Sequence, residues 1–383
     1  MAYQFTMPGK TVIGDNALYE SKADFKALGQ KAFVVTGKNV TKAGIVNKLT
    51  DCLDQWGVAY EVFSDITGEP TVQMIEAGVR AYKAAGCDFL IGIGGGSPLD
   101  SVKAIAMMSV LDGKISDYMG VEIKGDFPPM ALIPTTSGTG SEATKFTVIT
   151  DTEKSVKMLL KGEALMPILS VIDPVFTMTS PKSITASTGM DALTHAVEAY
   201  TSKKSNSLTD MYALSAISRI FTYLPLVYED GTNIKAREEM SIAAYEAGVC
   251  INNASVTLVH GMSRPIGALF HVPHGISNAM LISKCLAFAL DGCPERFAQV
   301  AKAIGAADAH ESDETASQKF IGALEELCTR LEIPTLKEYG IPKDQFDSLI
   351  PKMARDAIIS GSPGNTIKEI KQEDIEAIYN RLW

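Results

Sequence analysis

The sequence predicts an α/β domain with a parallel sheet, followed by an all-helical domain. Three observations carry this expectation. Up to residue 180, short β-rich runs alternate with amphipathic stretches, the pattern of strands joined by crossover helices. Beyond TSPKS (179–183) helical periodicity dominates and strand-like runs become few. The chain has 383 residues, enough for two or three domains at ~100–200 residues each. The boundary falls near residue 182, giving domains 1–181 and 182–383. No repeat or low-complexity linker interrupts the chain, so the two domains are expected to pack directly, leaving a cleft suited to ligands.

The strands read off in order. AFVVT (32–36) ends at Gly37, and AYEVF (59–63) follows a helical stretch with Leu49, Leu53 and Trp56 at helix spacing. FLIGI (89–93) runs into a glycine cluster, MALIP (130–134) precedes TTSGTGSE, and LSVID (169–173) closes at Asp173-Pro174. KFTVIT and SVKMLL flank the polar turn DTEK, a hairpin signal placed here at the sheet's edge. The first segment, FTMPGKTVIG, offers an edge that can pair with another chain. After the boundary, apolar faces at helix spacing mark SITASTGMDALTHAVEAY, SLTDMYALSAISRIFTYL, ISNAMLISKCLAFAL, ERFAQVAKAIG and SQKFIGALEELCTRLEI. REEMSIAAYEAGVCINNASVTLVH reads as one further helix, ending at His260.

Composition excludes several classes. A hydrophobic fraction of 46% with 21% charged residues is globular, not disordered or fibrous. The net charge of −10 repels polyanions, so nucleic acid and anionic membranes are poor partners. The longest apolar run is interrupted by Asn278 and Lys284, too short for a membrane span. MAYQFTMPGK lacks the basic-then-apolar pattern of a signal peptide. The six cysteines are scattered without a CxxC pair and read as inert thiols in a reducing compartment. A cytoplasmic protein is expected.

IGIGGGSPLDSVKAIA places Gly94, Gly95, Gly96 and Ser97 between a buried strand and a helix starting near Pro98. Ser is a good N-cap and Pro suits the first turn. Three glycines let backbone approach a bulky anion, and the helix start offers free N–H groups, so the loop reads as a diphosphate site. It is not the usual GxGxxG fingerprint. TTSGTGSE (135–142) is a second small, hydroxyl-rich loop, in which Thr135, Thr136 and Thr139 can donate to phosphate or adenine. Two such loops at strand C-termini of one sheet point to a nucleotide site.

Of the five histidines, four fall in two short motifs. In GMDALTHAVEAY, Asp191 and His195 are four apart and share a helix face. LVHGMSRPIGALFHVPHGISNAM carries His260, His271 and His274, with Pro265 and Pro273 breaking the chain before His274 opens a helix. One carboxylate and three imidazoles suit Fe²⁺ or Zn²⁺ with room for a substrate oxygen. His310 reads as a solvated loop residue.

Taken together, GGGSPLD, IPTTSGTGSE, TGMDALTHAVEAY and the HG…PHG pair resemble the iron-containing (group III) alcohol dehydrogenases, in family order and over nearly the whole chain. The resemblance implies a Rossmann-like dinucleotide-binding α/β domain followed by an all-α metal-binding domain. It places metal ligands at Asp191, His195, His260 and His274, the diphosphate loop at Gly94 to Ser97, and a cofactor lysine at Lys157. It implies hydride transfer between NAD(P)(H) and a small primary alcohol, diol or aldehyde, and a homodimer or larger homo-oligomer. Fe²⁺ is the expected metal, with Zn²⁺ chemically acceptable.

Three departures stand out. SRPIG replaces the family's AHxLG, so Arg264 stands where a histidine of the proton path or nicotinamide pocket is frequent. His271 also replaces Asn or Asp, and is a candidate for the proton relay. After AFVVT, Gly37-Lys38 replaces an Asp that would hold the ribose 2′-OH; the glycine leaves room for a 2′-phosphate, so NADP(H) is favoured with NAD(H) as the alternative. The rival functions are a metal-dependent lyase of the dehydroquinate synthase type, a metal-free reductase and a non-catalytic binding protein. The apolar motif region, without clustered basic residues, argues against the first, and the full ligand set against the other two.

Overall fold

A computed structural model describes residues 2–154 and 156–383. Ser155, the expected first residue of the second hairpin strand, lies outside the described residues. The chain divides into two compact units, one spanning Thr6–Ser180 and the other Pro181–Trp383 together with residues 2–5. Those first residues join the helical unit and not the α/β one. Tyr3 Oη lies 3.1 Å from Ser207 Oγ, and the Phe5 ring stacks on Tyr212.

The α/β unit runs β1 (Lys10–Ile13), α1 (Ala17–Glu20), α2 (Lys22–Leu28), β2 (Lys31–Gly37), α3 (Lys38–Lys42), α4 (Ile45–Trp56), β3 (Ala59–Ile66), α5 (Val72–Ala85), β4 (Phe89–Gly94), α6 (Gly96–Val110) and β5 (Met130–Pro134). β6 (Phe146–Asp151), β7 (Val156–Lys161) and β8 (Leu169–Ile172) follow. Six strands form one parallel sheet in the order β1-β8-β5-β4-β2-β3. The inner strands β2, β4, β5 and β8 are buried almost without alternation because both of their faces are covered, while the edge strands β1 and β3 keep exposed positions. Phe33, Val35, Leu90 and Leu132 pack on one side under α5 and α6, while Val34, Ile91, Ile93 and Ile133 pack on the other with α2 and α4.

Two sequence expectations change here. The hairpin β6–β7 is a separate antiparallel pair and not an edge of the main sheet; isolated bridges at Thr71–Thr150 and Glu122–Lys161 tie it to neighbouring loops. The segment around Lys10–Ile13 already pairs with β8, so only its outer side is an edge.

The helical unit comprises α7 (Lys182–Tyr200), α8 (Ser207–Glu229), α9 (Ile234–Ala254), α10 (Leu258–Phe270), α11 (His274–Ala289), α12 (Pro294–Ala303), α13 (Asp313–Arg330), α14 (Lys343–Ile359) and α15 (Gln372–Tyr379). α7 is its axis. Every residue from Gly189 to Tyr200 is buried, against α8, α9 and α11. A helix hydrophobic all round is one enclosed by others. The long run expected to end at His260 is two helices. Ser255 takes a left-handed backbone (φ 70°) and turns the chain, so His260 lies in the first turn of α10. Pro265 sits inside α10 and does not break it; the helix ends at His271, whose φ is 55°. No helix among the described residues is long and apolar enough to cross a membrane. All six cysteines are free, and five are buried.

Candidate metal centre and cofactor loops

Three helices supply one polar cluster inside the helical unit. Asp191 and His195 come from successive turns of α7, His260 from the first turn of α10, and His274 from the first residue of α11. Their ligand atoms all lie within 4.8 Å of one another. Asp191 Oδ1 is 3.8 Å from His195 Nε2, 3.7 Å from His260 Nε2 and 3.5 Å from His274 Nε2. The His195 and His260 rings stack at 4.7 Å between centroids.

The amide of Asn278, on α11, shows what this cluster suits. Its Nδ2 lies 2.7 Å from Asp191 Oδ1, 3.1 Å from His260 Nε2 and 3.3 Å from His274 Nε2. The Asp191 carboxylate accepts only, so the amide nitrogen must be the atom facing it. Both imidazole Nε2 atoms face the same nitrogen, whose one remaining hydrogen they share. Three acceptors aimed at one small donor form a place for positive charge. The Asn278 Oδ1 is left buried without a partner.

If His260 Nε2 accepts, its Nδ1 carries the proton. That proton goes to Glu198 Oε2, at 2.5 Å and fully buried. Glu198 Oε1 accepts from Thr257 Oγ1 at 2.8 Å and from the backbone N–H of Val259 at 2.6 Å. A carboxylate–histidine pair of this kind fixes a metal ligand's tautomer. Electrostatics agree. Burial, and then His195 and His274, hold the His260 pKa well below the ordinary imidazole value, so the ring is neutral. Burial opposes the Asp191 carboxylate, but His195, His274 and His260 outweigh it, and its pKa falls below the usual range. Three imidazoles, that of His260 held neutral, and one carboxylate are a donor set for a divalent first-row metal.

His271 does not join this cluster. It lies eleven residues beyond His260 on α10, about 16 Å along the axis. Its ring is exposed, beside Tyr339–Pro342. His310 is exposed in a turn. Glu198 and Asn278 were not singled out in the sequence, although both lie at helix spacing from proposed ligands, three after His195 and four after His274.

In the α/β unit, the glycine loop, the threonine loop and Gly37 meet at the C-terminal ends of the adjacent strands β2, β4 and β5. β3 and β4 flank β2 on opposite sides, so β2/β4 is the switch point of the sheet, where such folds bind ligands. Gly94 has φ 154°, and a Cβ there would meet the Pro98 ring at 2.6 Å. A Cβ on Gly96 would lie 2.9 Å from Thr139 Cγ2, so the two loops touch. Thr135 N–H donates to Gly94 O at 2.9 Å, and Thr136 borders Gly95. α6 begins earlier than expected. Its cap is Gly95 in extended backbone, and Ser97 lies inside the first turn without a capping bond. Lys38 is exposed, 3.7 Å from Asp65. Lys157 Nζ is bonded to Glu69 Oε1 at 2.6 Å.

A buried network, unremarked in the sequence, locks these loops. Lys103 Nζ on α6 donates to Ser141 O at 2.7 Å, Thr144 O at 2.8 Å and Phe146 O at 2.9 Å. Asp100 accepts from Ser141 Oγ at 2.6 Å and Val148 N–H at 2.8 Å. Burial pulls the Lys103 pKa down to about 8 and pushes the Glu142 carboxyl up to about 7. The helix after the glycine loop is thus bolted to the threonine loop.

Known proteins match this architecture along the whole chain. The sequence model for iron-containing alcohol dehydrogenase matches residues 8–174, and that for the C-terminal part of the Fe-containing alcohol dehydrogenase family matches 185–383. The NAD-dependent methanol dehydrogenase of Bacillus methanolicus is 34% identical over 372 residues, 96% of this chain and 98% of the relative. The 1,3-propanediol dehydrogenase of Klebsiella pneumoniae is 33% identical over 386 residues, 100% of this chain and 99% of the relative. A crystal structure of 1,3-propanediol oxidoreductase superposes with a TM-score of 0.96 at 33% identity, covering 100% of both chains. Alcohol and diol dehydrogenases, not lyases, are what the chain resembles. With a parallel-sheet unit, a helical unit and both halves matched, the chain belongs to the iron-containing alcohol dehydrogenase family.

Proposed function

We propose that the protein is a metal-dependent dehydrogenase that moves a hydride between NADP(H) and a small primary alcohol, diol or aldehyde. The observation that carries this reading is the convergence of Asp191, His260 and His274 on the single donor of Asn278. Asp191, His195, His260 and His274 are the proposed ligands, in a metal-binding domain of residues 182–383. Fe²⁺ is the first choice by family, and the donor set accepts Zn²⁺ equally. When bound, such a cation polarises the substrate's oxygen, and the nicotinamide takes or gives the hydride. The protein's part is preparation. Asp191 stays charged, His260 stays neutral, and Glu198 turns the His260 lone pair inward.

In the proposed cofactor domain, 1–181, Gly94, Gly95, Gly96 and Ser97 present the start of α6 to the diphosphate. Thr135, Thr136 and Thr139 supply hydroxyls, and Lys157 exchanges Glu69 for the cofactor. Gly37 and Lys38 leave the β2 end open to a 2′-phosphate, which supports NADP(H). The Bacillus methanolicus relative is NAD-dependent by name, and NAD(H) is the alternative. The protein is proposed to work in the cytoplasm as a homodimer or larger homo-oligomer, with no nucleic-acid or membrane partner.

The test measures NADPH and NADH oxidation over small aldehydes by metal-stripped, Fe²⁺-loaded and Zn²⁺-loaded protein. Metal-dependent turnover with NADPH preferred is expected; turnover untouched by metal removal would overturn the ligand assignment. Gly37→Asp should lower kcat/KM for NADPH several-fold. A Cβ there lies 3.0 Å from Ile66 O, so Gly37→Ser serves as the steric control. A strong native preference for NADH would refute the NADP(H) reading.

A further inference from the structure

Arg264 lies one turn beyond His260 on α10, so both side chains leave the same helix face. The guanidinium is partly buried, and one Nη1 donates to Ser362 Oγ at 3.0 Å. That neutral hydroxyl is its hydrogen-bond partner; no carboxylate pairs with it among the described residues. Its remaining N–H groups are not among the buried atoms that lack partners, so they open onto accessible space. Its charge acts on His260 and is itself acted on by Glu198, which places it beside the ligand cluster. Ser362 belongs to a segment held against α10, where Pro363 packs on Gly261. The cation is therefore fixed in place. A partly buried, anchored guanidinium with no carboxylate in hydrogen-bond contact among the described residues and N–H groups left open is placed to take an anionic ligand.

We infer that the substrate of this enzyme is an alcohol or aldehyde bearing an acid group, a carboxylate or sulfonate, which Arg264 binds while the carbinol end faces the His260 side. This rests on the dehydrogenase reading above. One helical turn separates the two side-chain origins by about 6 Å, the span of a three- or four-carbon chain. The planar guanidinium matches a carboxylate or sulfonate through two parallel N–H bonds. The cofactor's diphosphate is the other possible source of an anion.

The experiment compares kcat/KM for 3-hydroxypropanoate, 4-hydroxybutanoate and 3-hydroxypropane-1-sulfonate against 1-propanol and 1-butanol, in the native holoenzyme, Arg264→Gln and Arg264→Lys. Propane-1-sulfonate binding to the native protein and both variants is measured by calorimetry in parallel. The native enzyme should prefer the acid-bearing alcohols. Arg264→Gln should cut the acid-to-neutral ratio by roughly 10- to 100-fold, as for a lost charged hydrogen bond, with Arg264→Lys in between. Sulfonate binding should fall in the same order. An unchanged ratio in Arg264→Gln, with all alcohols losing equally, would overturn the inference. So would a rise in cofactor KM that is the same for every alcohol, since the anion would then be the cofactor's. Turnover of neutral alcohols without an acid preference would overturn the inference but leave the dehydrogenase reading standing. Turnover of no alcohol with either cofactor would overturn both.

Discussion

Glu198→Gln tests how the metal centre is prepared. Gln keeps the shape of Glu but has one acceptor oxygen and one donor nitrogen. On the Oε1 side, Thr257 Oγ1 and the Val259 N–H donate at 2.8 and 2.6 Å. On the Oε2 side the one partner among the described residues is His260 Nδ1, at 2.5 Å. The new amide must therefore turn its oxygen toward Thr257 and Val259 and its NH₂ toward His260. The imidazole then accepts at Nδ1, and its proton moves to Nε2, where it faces Asp191 and Asn278. A protonated Nε2 cannot ligate. Loss of such a partner commonly costs 10- to 100-fold in metal affinity, about 1.4 to 2.7 kcal/mol. The assay is competition between the apoprotein and a chromophoric chelator for Fe²⁺ or Zn²⁺. The apoprotein's Tm should hold, because the amide keeps the bonds that anchor the start of α10 and removes a buried charge. Parental metal affinity in a folded Glu198→Gln variant would refute the tautomer argument.

Other outcomes follow from the same geometry. His274→Ala removes a half-exposed proposed ligand and should lower metal content and turnover with the circular dichroism spectrum intact; full metal content would remove it from the ligand set. His271→Asn should leave the pH profile of kcat unchanged, since the exposed His271 ring is not part of the cluster, and Asn tolerates its left-handed backbone better than Ala would. Glu142 binds its proton until about pH 7 in the folded protein but releases it near the ordinary carboxyl value when unfolded, so stability falls as pH rises from about 4.5 to about 7. Glu142→Gln should remove that fall, worth about 3 kcal/mol at most, in Tm measured on apoprotein from pH 5 to 8; parallel pH curves would refute it.

The parallel sheet was legible because each of its central strands is an unbroken apolar run ending at a turn signal. Phe33 and Val34 face opposite cores, and neither face admits water. Asp191 and His195 were legible as a pair because helix spacing alone aligns them. The start of α10 was not, since the left-handed turn falls on Ser255, a residue type that rarely marks one. Pro265 misled in the opposite sense: a breaker by type, it is tolerated within a helix supported by tertiary packing. Glu198 and Lys103 were hidden for a third reason. Each looks like the polar residue of an ordinary helix, and only the approach of α10 or of the threonine loop turns it inward. Arg264 was visible as an oddity, but its lack of a carboxylate partner is a property of the folded unit.

The placement of the proposed ligands also bears on stability. Asp191 and His274 are separated by 83 residues, and the cluster draws on α7, α10 and α11. A cation bound there would add a further tie to three helices already joined by apolar packing, the Glu198 bonds to the start of α10 and the Asn278 amide. The unfolded chain has no such site, so binding free energy adds to folding free energy. At a metal concentration 100 times the dissociation constant the gain is about 2.7 kcal/mol. The Asn278 amide is a weaker tie than a cation would be, because it offers two hydrogens to three acceptors. Metal should therefore raise Tm in the native protein, and by less in Glu198→Gln, where the His260 lone pair is turned away. An equal rise in both would place the ion elsewhere.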